Sequence, residues 1–349
     1  MNKRIFIVAF FAFLFLAGSV YAAIGITELR TEQLKNPLGI DVRQPRLGWR
    51  IESDEQNVIQ TAYHILVASS PELLEQGKGD IWDSGKIESD ASQWITYQGK
   101  TLKCNASYYW KVKIDTNKGA TNWSAPAFWT TGLFNEADWQ GQWIGLDRAA
   151  PGDSETRWSR LAARYLRKEF AVKKSVKRAT VHIAGMGLYE LFINGQRIGN
   201  QVLAPAPTDY RKTILYNTYD VTSLLQTENA IGVTLGNGRF YTMRQNYKPY
   251  KIPTFGYPKL RLNLIVEYAD GSKETIATNT SWKLTTEGPI RSNNEYDGEE
   301  YDARKELGAW TQTGYDDKNW MPAQRVSIPS GTLRAQMMPG MKVTETLKP

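Results

Sequence analysis

The sequence predicts an all-β chain made of two sandwiches in series, and three observations carry that prediction. Beyond the N-terminal segment no apolar stripe recurs at the helical period; apolar residues alternate in short runs instead. Gly, Asn, Asp and Pro break those runs at short intervals, as the turns of sandwiches and jelly rolls require. A single cysteine in 349 residues excludes an internal disulfide, so buried apolar cores must hold the chain, and it is long enough for two or three.

The N-terminal element, residues 1–22, is predicted to be a secretory signal peptide. Lys3 and Arg4 precede an apolar run from Ile5 to Leu16, and Val20-Tyr21-Ala22 supplies a small-residue cleavage site. The run falls short of the ~20 apolar residues that span a bilayer, and no cysteine near the cleavage site offers a lipid anchor. A secreted or periplasmic location follows as an expectation, with no membrane span in the remainder. The formal charge is +7, of which Lys3 and Arg4 supply two. The other lysines and arginines are scattered singly among acids, which argues against a nucleic-acid partner.

The first sandwich is expected over residues 23–135. Tyr63, Ile65 and Val67 alternate with His64, Leu66 and Ala68, and Trp110, Val112 and Ile114 alternate with Tyr109, Lys111 and Lys113. The run Ser107–Ile114, a turn at Thr116–Gly119 and the run Phe128–Gly132 resemble the final hairpin of a fibronectin type III domain. Ser70–Gln76 reads as a short helical turn. The second sandwich is expected over residues 136–329. Leu191-Phe192-Ile193, Asn194-Gly195 and Gln196-Arg197-Ile198 read as a hairpin, because Asn-Gly suits a type I′ turn. Arg261–Tyr268 is a further strand and Val221–Leu225 a second helical turn. The opening stretch Ala137–Gly145 and the closing stretch Trp310 to Trp320 resemble the ends of a galactose-binding-like jelly roll, where they lie on adjacent strands. Residues 330–349 read as a linker.

Histidine-based metal or acid–base chemistry is close to excluded. His64 and His182 each lie within a strand with no cysteine or carboxylate at ligand spacing. Cys104 reads as a small packed residue with no base beside it. No serine nucleophile elbow or phosphate loop occurs, and Gly236-Asn237-Gly238 is only a two-glycine turn. The acid-rich stretch Asn293–Arg304 could offer the carboxylate pair that glycoside hydrolysis needs. On a strand Glu299 and Tyr301 would share one face, with Glu300 and Asp302 on the other. Neighbouring acids on an exposed strand are usually solvated, so Glu299, Tyr301, Asp302 and Arg304 are assigned a structural or interface role, with Asp302 paired to Arg304 or to backbone. Carbohydrate binding needs aromatic faces beside a few polar groups. Tyr210, Arg211, Asn237, Arg239 and Tyr241 supply that mixture and are the candidate ligand residues. The segment Arg239–Tyr257, aromatic and basic with two prolines, reads either as a functional surface loop or as a cover over a sheet edge.

Taken in order, four stretches make the chain resemble the N-terminal region of bacterial α-L-rhamnosidases of glycoside hydrolase family 78. They are Leu29–Glu32 with Asn36–Asp41 and Pro45–Trp49; Tyr189–Gly195 with Asp209–Lys212; Leu235–Tyr241; and Tyr296–Arg304 with Val343–Pro349. The resemblance implies inverting hydrolysis of terminal L-rhamnosyl bonds in the full-length family, by an acid and base in an α/α barrel that follows the β-domains. The barrel's Cys-Pro-Gln-Arg-Asp-Glu-Arg stretch does not occur in these residues, and Cys104 precedes Asn105 rather than proline. No catalytic residue is therefore carried over. The expected role is non-catalytic: recognition of a rhamnose-containing glycan or packing against a barrel. A free-standing lectin-like module and a structural adaptor for a separate barrel protein are the alternatives. Some relatives of the second unit bind rhamnose through calcium and an adjacent Asp-Asn pair; that dipeptide is absent, so no cofactor is expected.

Overall fold

The computed structural model describes residues 24–148, 161–242, 255–296 and 298–348. The expected leader 1–22 and residues 243–254 of the aromatic loop, with Tyr247 and Tyr250, lie outside them, as does Asp297 of the acid-rich stretch.

The first unit comprises β1 (Gly25–Thr31), β2 (Arg46–Glu52), β3 (Gln60–Ala68), β4 (Trp82–Glu88), β5 (Ile95–Thr96), β6 (Ser107–Thr116), β7 (Gly119–Ala120) and β8 (Ala127–Thr130). β1, β2 and β5 form one sheet; β4, β3, β6 and β7 form the other, with β8 also on β6. Alternation decides which side chains face inward. Tyr108, Trp110, Val112 and Ile114 of β6 are buried, while Tyr109, Lys111 and Lys113 are only half-buried. Three fully buried tryptophans, Trp49, Trp110 and Trp129, dominate this core. Tyr108 stacks on Trp129 with centroids 5.5 Å apart, and Trp49 Nε1 donates to Gln60 Oε1 at 3.0 Å. The single α-helix among the described residues, α1 (Pro71–Glu75), starts where Ser70 Oγ accepts from the Leu73 amide.

The second unit contains β9 (Ile144–Gly145), β10 (Arg164–Ala171), β11 (Val176–Met186), β12 (Leu188–Ile193), β13 (Gln196–Arg197), β14 (Thr213–Asp220), β15 (Glu228–Gly236), β16 (Lys259–Tyr268) and β17 (Lys273–Ala277). It continues with β18 (Lys283–Thr285), β19 (Ile290–Asn294), β20 (Gly298–Tyr301), β21 (Met321–Pro322), β22 (Gln324–Arg325) and β23 (Thr332–Ala335). One sheet runs β13-β12-β15-β10-β18-β21; the other runs β22-β9-β16-β11-β14-β23, with β17 on β16. Aliphatic residues fill the space between them: Leu166 and Leu191 lie opposite Val233, and Val181 and Ile183 lie opposite Leu264 and Leu262. The opening β9 pairs with β22, which follows the closing stretch. Asn194 and Gly195 adopt φ of 50° and 83°, the positive values their turn between β12 and β13 demands. The helical turn expected at Val221–Leu225 is a 3-10 turn at Thr222–Leu224.

The tail departs from the linker reading. Thr332–Ala335 adds a strand parallel to β14, and Met337 packs against both sandwich cores. The reason lies in the pairing: β14 would otherwise be a sheet edge, and a chain turned back beside it satisfies that edge.

The two sandwiches meet in a dense seam. A Cβ at Gly39 would lie 1.9 Å from Thr218 Oγ1, and one at Gly132 would lie 2.2 Å from Tyr216 Oη, so both positions require glycine. Tyr216 Oη donates to the Leu133 carbonyl and accepts from the Leu133 amide, both at 3.1 Å. His182, fully buried, bonds Thr218 Oγ1 at 3.0 Å and, across the seam, Asn105 Oδ1 at 3.1 Å. Asp41 accepts from the Ala335 amide at 3.1 Å.

Candidate functional site

Most of the candidate ligand residues converge where β14 begins and β15 ends. β15 delivers Gly236 to the loop Asn237–Thr242, and the hairpin β19–β20 lies against it. Asn293, on that hairpin, makes the join. Its Oδ1 accepts from the Asn237 amide at 2.6 Å, and Asn237 Nδ2 donates to the carbonyls of Asn293 and Leu161, each at 2.8 Å. Asn237 is therefore buried and acts as a bracket between loops. Gly238 has φ of +49°, and a Cβ there would meet Leu188 Cγ at 2.6 Å, which fixes the tight turn that follows.

That turn presents Arg239 outward and Phe240 inward. Phe240 packs edge-on against Tyr210 at 5.2 Å, and Tyr210 meets Phe255 the same way at 5.2 Å. Burial pushes the Tyr210 hydroxyl up to about 12, so it stays protonated. Tyr241 is buried and stacks on Tyr257 at 5.8 Å. Arg239 is exposed; it donates to Glu295 Oε1 and to Tyr296 Oη, each at 3.4 Å. Arg211 is exposed and paired with Asp209 at 3.0 Å, its guanidinium 5.9 Å from the Phe255 ring. The structure thus places Arg211 and Arg239 on the surface of the Tyr210–Phe240–Phe255 cluster, with Tyr210 and Asn237 buried beneath and Tyr241 in a neighbouring stacked pair with Tyr257.

The acid-rich hairpin occupies the rim. Glu299, Glu300 and Tyr301 are exposed. Asp302 accepts from both the amide and the guanidinium of Arg304, the latter at 2.8 Å, and the Arg304 contact pulls its carboxyl down to about 2. Tyr301 Oη donates to Glu306. Burial raises the carboxyl of Asp41, but Asp41 sits in the seam rather than here. A general acid needs a raised pKa and a partner carboxylate facing it across a gap; Asp302, lowered by Arg304, does not meet the first requirement.

Sequence reasoning did not identify Asn293, Glu295 and Tyr296 as partners of Asn237 and Arg239, which precede them by 56 or 57 residues. It also missed Arg167, whose side chain is almost fully buried. Arg167 Nε donates to the Trp310 carbonyl at 2.9 Å, and its guanidinium pairs with Asp317 and Glu169. That is how the closing Trp-rich stretch is fastened to β10. Among the described residues no group of three or more His, Cys, Asp or Glu side chains gathers in a way that could hold a metal ion. No helix among them is long and apolar enough to cross a membrane.

Two family models match. Residues 174–345 match the α-L-rhamnosidase N-terminal domain, and residues 26–135 match the Rha78A-like N-terminal immunoglobulin domain, a sandwich of the same architecture as fibronectin type III. An α-L-rhamnosidase of Formosa agariphila is 38% identical over 335 residues, covering 90% of this chain and 35% of the relative. The solved α-L-rhamnosidase of Dictyoglumus thermophilum superposes with a TM-score of 0.84 at 40% identity, covering 93% of this chain and 36% of that one. The Streptomyces avermitilis enzyme, solved with L-rhamnose, superposes at 0.83 with 24% identity, covering 93% and 47%, which shows the shared fold. The chain spans between about a third and a half of the length of the curated relatives it matches.

Proposed function

We propose a non-catalytic, glycan-positioning role for this chain, which belongs to the α-L-rhamnosidase family as its N-terminal β-domains. The observation that carries the proposal is the state of the acids. Asp209 and Asp302, beside the ligand cluster, are each bound to an arginine two positions away, and Arg304 holds the Asp302 carboxyl at about 2. Carboxyls lowered in this way are ionised at neutral pH and cannot donate a proton to a leaving group. The cluster instead joins buried aromatic residues to surface arginines, the pattern that recognises a sugar. In the full-length family the hydrolysis of terminal α-L-rhamnosyl bonds falls to the α/α barrel, and this region contributes recognition of a rhamnose-containing glycan. A packing role beside such a barrel finds support in the exposed apolar residues Leu203, Met338, Met341 and Val343. Residues 1–22 direct the chain to the periplasm or beyond.

The test has two arms. An aryl α-L-rhamnoside should not be turned over by the full chain; turnover abolished by Glu299→Gln or Asp302→Asn would overturn the non-catalytic reading. Millimolar L-rhamnose should raise the melting temperature by mass action, with or without EDTA. No shift at that concentration would leave only the packing role.

A further inference from the structure

We propose that the cleft between the two sandwiches is a second binding site, one that takes a short acidic oligosaccharide. The cleft encloses about 1040 Å³. That is the upper end of the volume range for ligand pockets, which favour domain interfaces. It is separate from the cluster at Tyr210 and Arg239, none of whose residues line it.

Its charge is unbalanced. Lys100, Lys103, Lys177, Arg178 and Lys273 line it, against Glu72, Asp220 and Glu267. Glu267 is already engaged by Arg178 at 2.8 Å and by Lys273 at 2.9 Å. Asp220 accepts from the amide and hydroxyl of Thr222, and the Ser70 hydroxyl holds the Glu72 carboxylate. Lys100, Lys103 and Lys177 are exposed and form no ion pair within 4 Å among the described residues, although the Lys177 charge is felt at Glu72 and helps lower its carboxyl. Three ammonium groups around a concave wall favour an anion.

Two further features specify a sugar rather than a bare anion. Asn105 is 4% exposed and lines the cleft; its Oδ1 is taken by His182, and its buried Nδ2 has no partner. An orphaned buried donor is costly, and a ligand acceptor reaching it would relieve that cost. Ser107, Thr180 and Thr222 add hydroxyls, and the Tyr109–Phe128 pair, centroids 6.2 Å apart, adds an aromatic wall against which a pyranose face can lie. Arg178, the group best shaped to clamp a phosphate, is spent on Glu267 and the Asn105 carbonyl. Carboxylates spaced along a sugar chain fit three separate lysines better.

Cys104 provides the reporter. It is the only cysteine in the chain, is half-buried and lines the cleft. Burial pushes its thiol up, so labelling of the full chain by a maleimide is followed at mildly alkaline pH. Trigalacturonate at about ten times its Kd should slow labelling about tenfold, since only the free form reacts. Protection should fade with added salt. Maltotriose and inorganic sulfate should give none. The charge-reversed variant K100E/K103E/K177E, altered only at exposed positions, should lose the protection while keeping its melting temperature and its response to L-rhamnose. Failure of trigalacturonate to protect would overturn the site. Equal protection by maltotriose or by sulfate would overturn the acidic-sugar assignment. Protection surviving in the triple variant would overturn the role of the lysines. Because L-rhamnose binding is read separately, neither proposal can fail on the other's account.

Discussion

The seam between the sandwiches and the loop cluster around Asn237 use the same kinds of side chain to different ends. At the seam His182, Tyr216 and Asp41 are shielded from solvent and reach partners far along the chain: Asn105, Leu133 and Ala335. In the cluster Arg211 and Asp302 pair with residues two positions away, and their partners or they themselves face solvent. A buried polar group without a partner is costly, so the seam can exist only in one geometry. An exposed pair of near neighbours is worth little and can exchange its partner for a ligand. The difference separates a scaffold from a surface that the scaffold displays. The two are still joined, because one apolar cluster runs from Leu133 and Tyr216 at the seam to Tyr210 and Phe240 under the loops.

The comparison breaks most readily at Tyr216. Tyr216→Ala removes a buried ring and both bonds to Leu133, and an aromatic truncation of this kind costs about 3–5 kcal/mol. Urea unfolding followed by tryptophan fluorescence should show that loss, with the sandwiches separating into distinct transitions. A change within about 0.5 kcal/mol, the scale of a surface substitution, would mean that the seam is not the rigid scaffold described here.

Acid tests the same seam more gently. Burial, with a smaller contribution from the Arg178 charge, depresses His182 from 6.5 to about 3. Its neighbours Asn105, Thr218, Trp139 and Tyr216 place no carboxylate beside it. The folded state therefore holds His182 neutral where the unfolded chain takes up a proton. Its contribution is intact above about pH 6.5 and is lost as pH falls toward about 3, at about 1.4 kcal/mol per pH unit. His182→Gln should flatten that part of the stability–pH curve. An unchanged slope would assign the acid sensitivity to other groups.

The fold was largely legible in the sequence because its signals are local. Alternation in Ser107–Ile114 and the Asn194-Gly195 turn both depend on residues within a few positions of each other, and both appear as expected. The tail was misread because nothing in Thr332–Ala335 announces a strand; its pairing partner lies in β14, more than a hundred residues earlier. The candidate site was legible by residue type but not by role. Tyr210 and Asn237 suggest a sugar contact, yet both are buried and act as supports. The bracket that makes Asn237 structural is Asn293, and a bond between residues so far apart leaves no mark in spacing.

The smallest expected effect on stability sharpens the comparison most. Arg239 is exposed, and its contacts to Glu295 and Tyr296 are long at 3.4 Å. Arg239→Ala should change the unfolding free energy by no more than about 0.5 kcal/mol. If the cluster is the displayed surface, the same variant should lose most of the melting-temperature rise given by L-rhamnose, because a guanidinium is the group there able to bond two hydroxyls at once. A variant as stable as the parent but unresponsive to the sugar separates display from support. Loss of stability comparable to Tyr216→Ala would place Arg239 with the scaffold. An undiminished response to L-rhamnose would move recognition away from this loop to the buried aromatic group beneath it, which the surrounding packing holds closed.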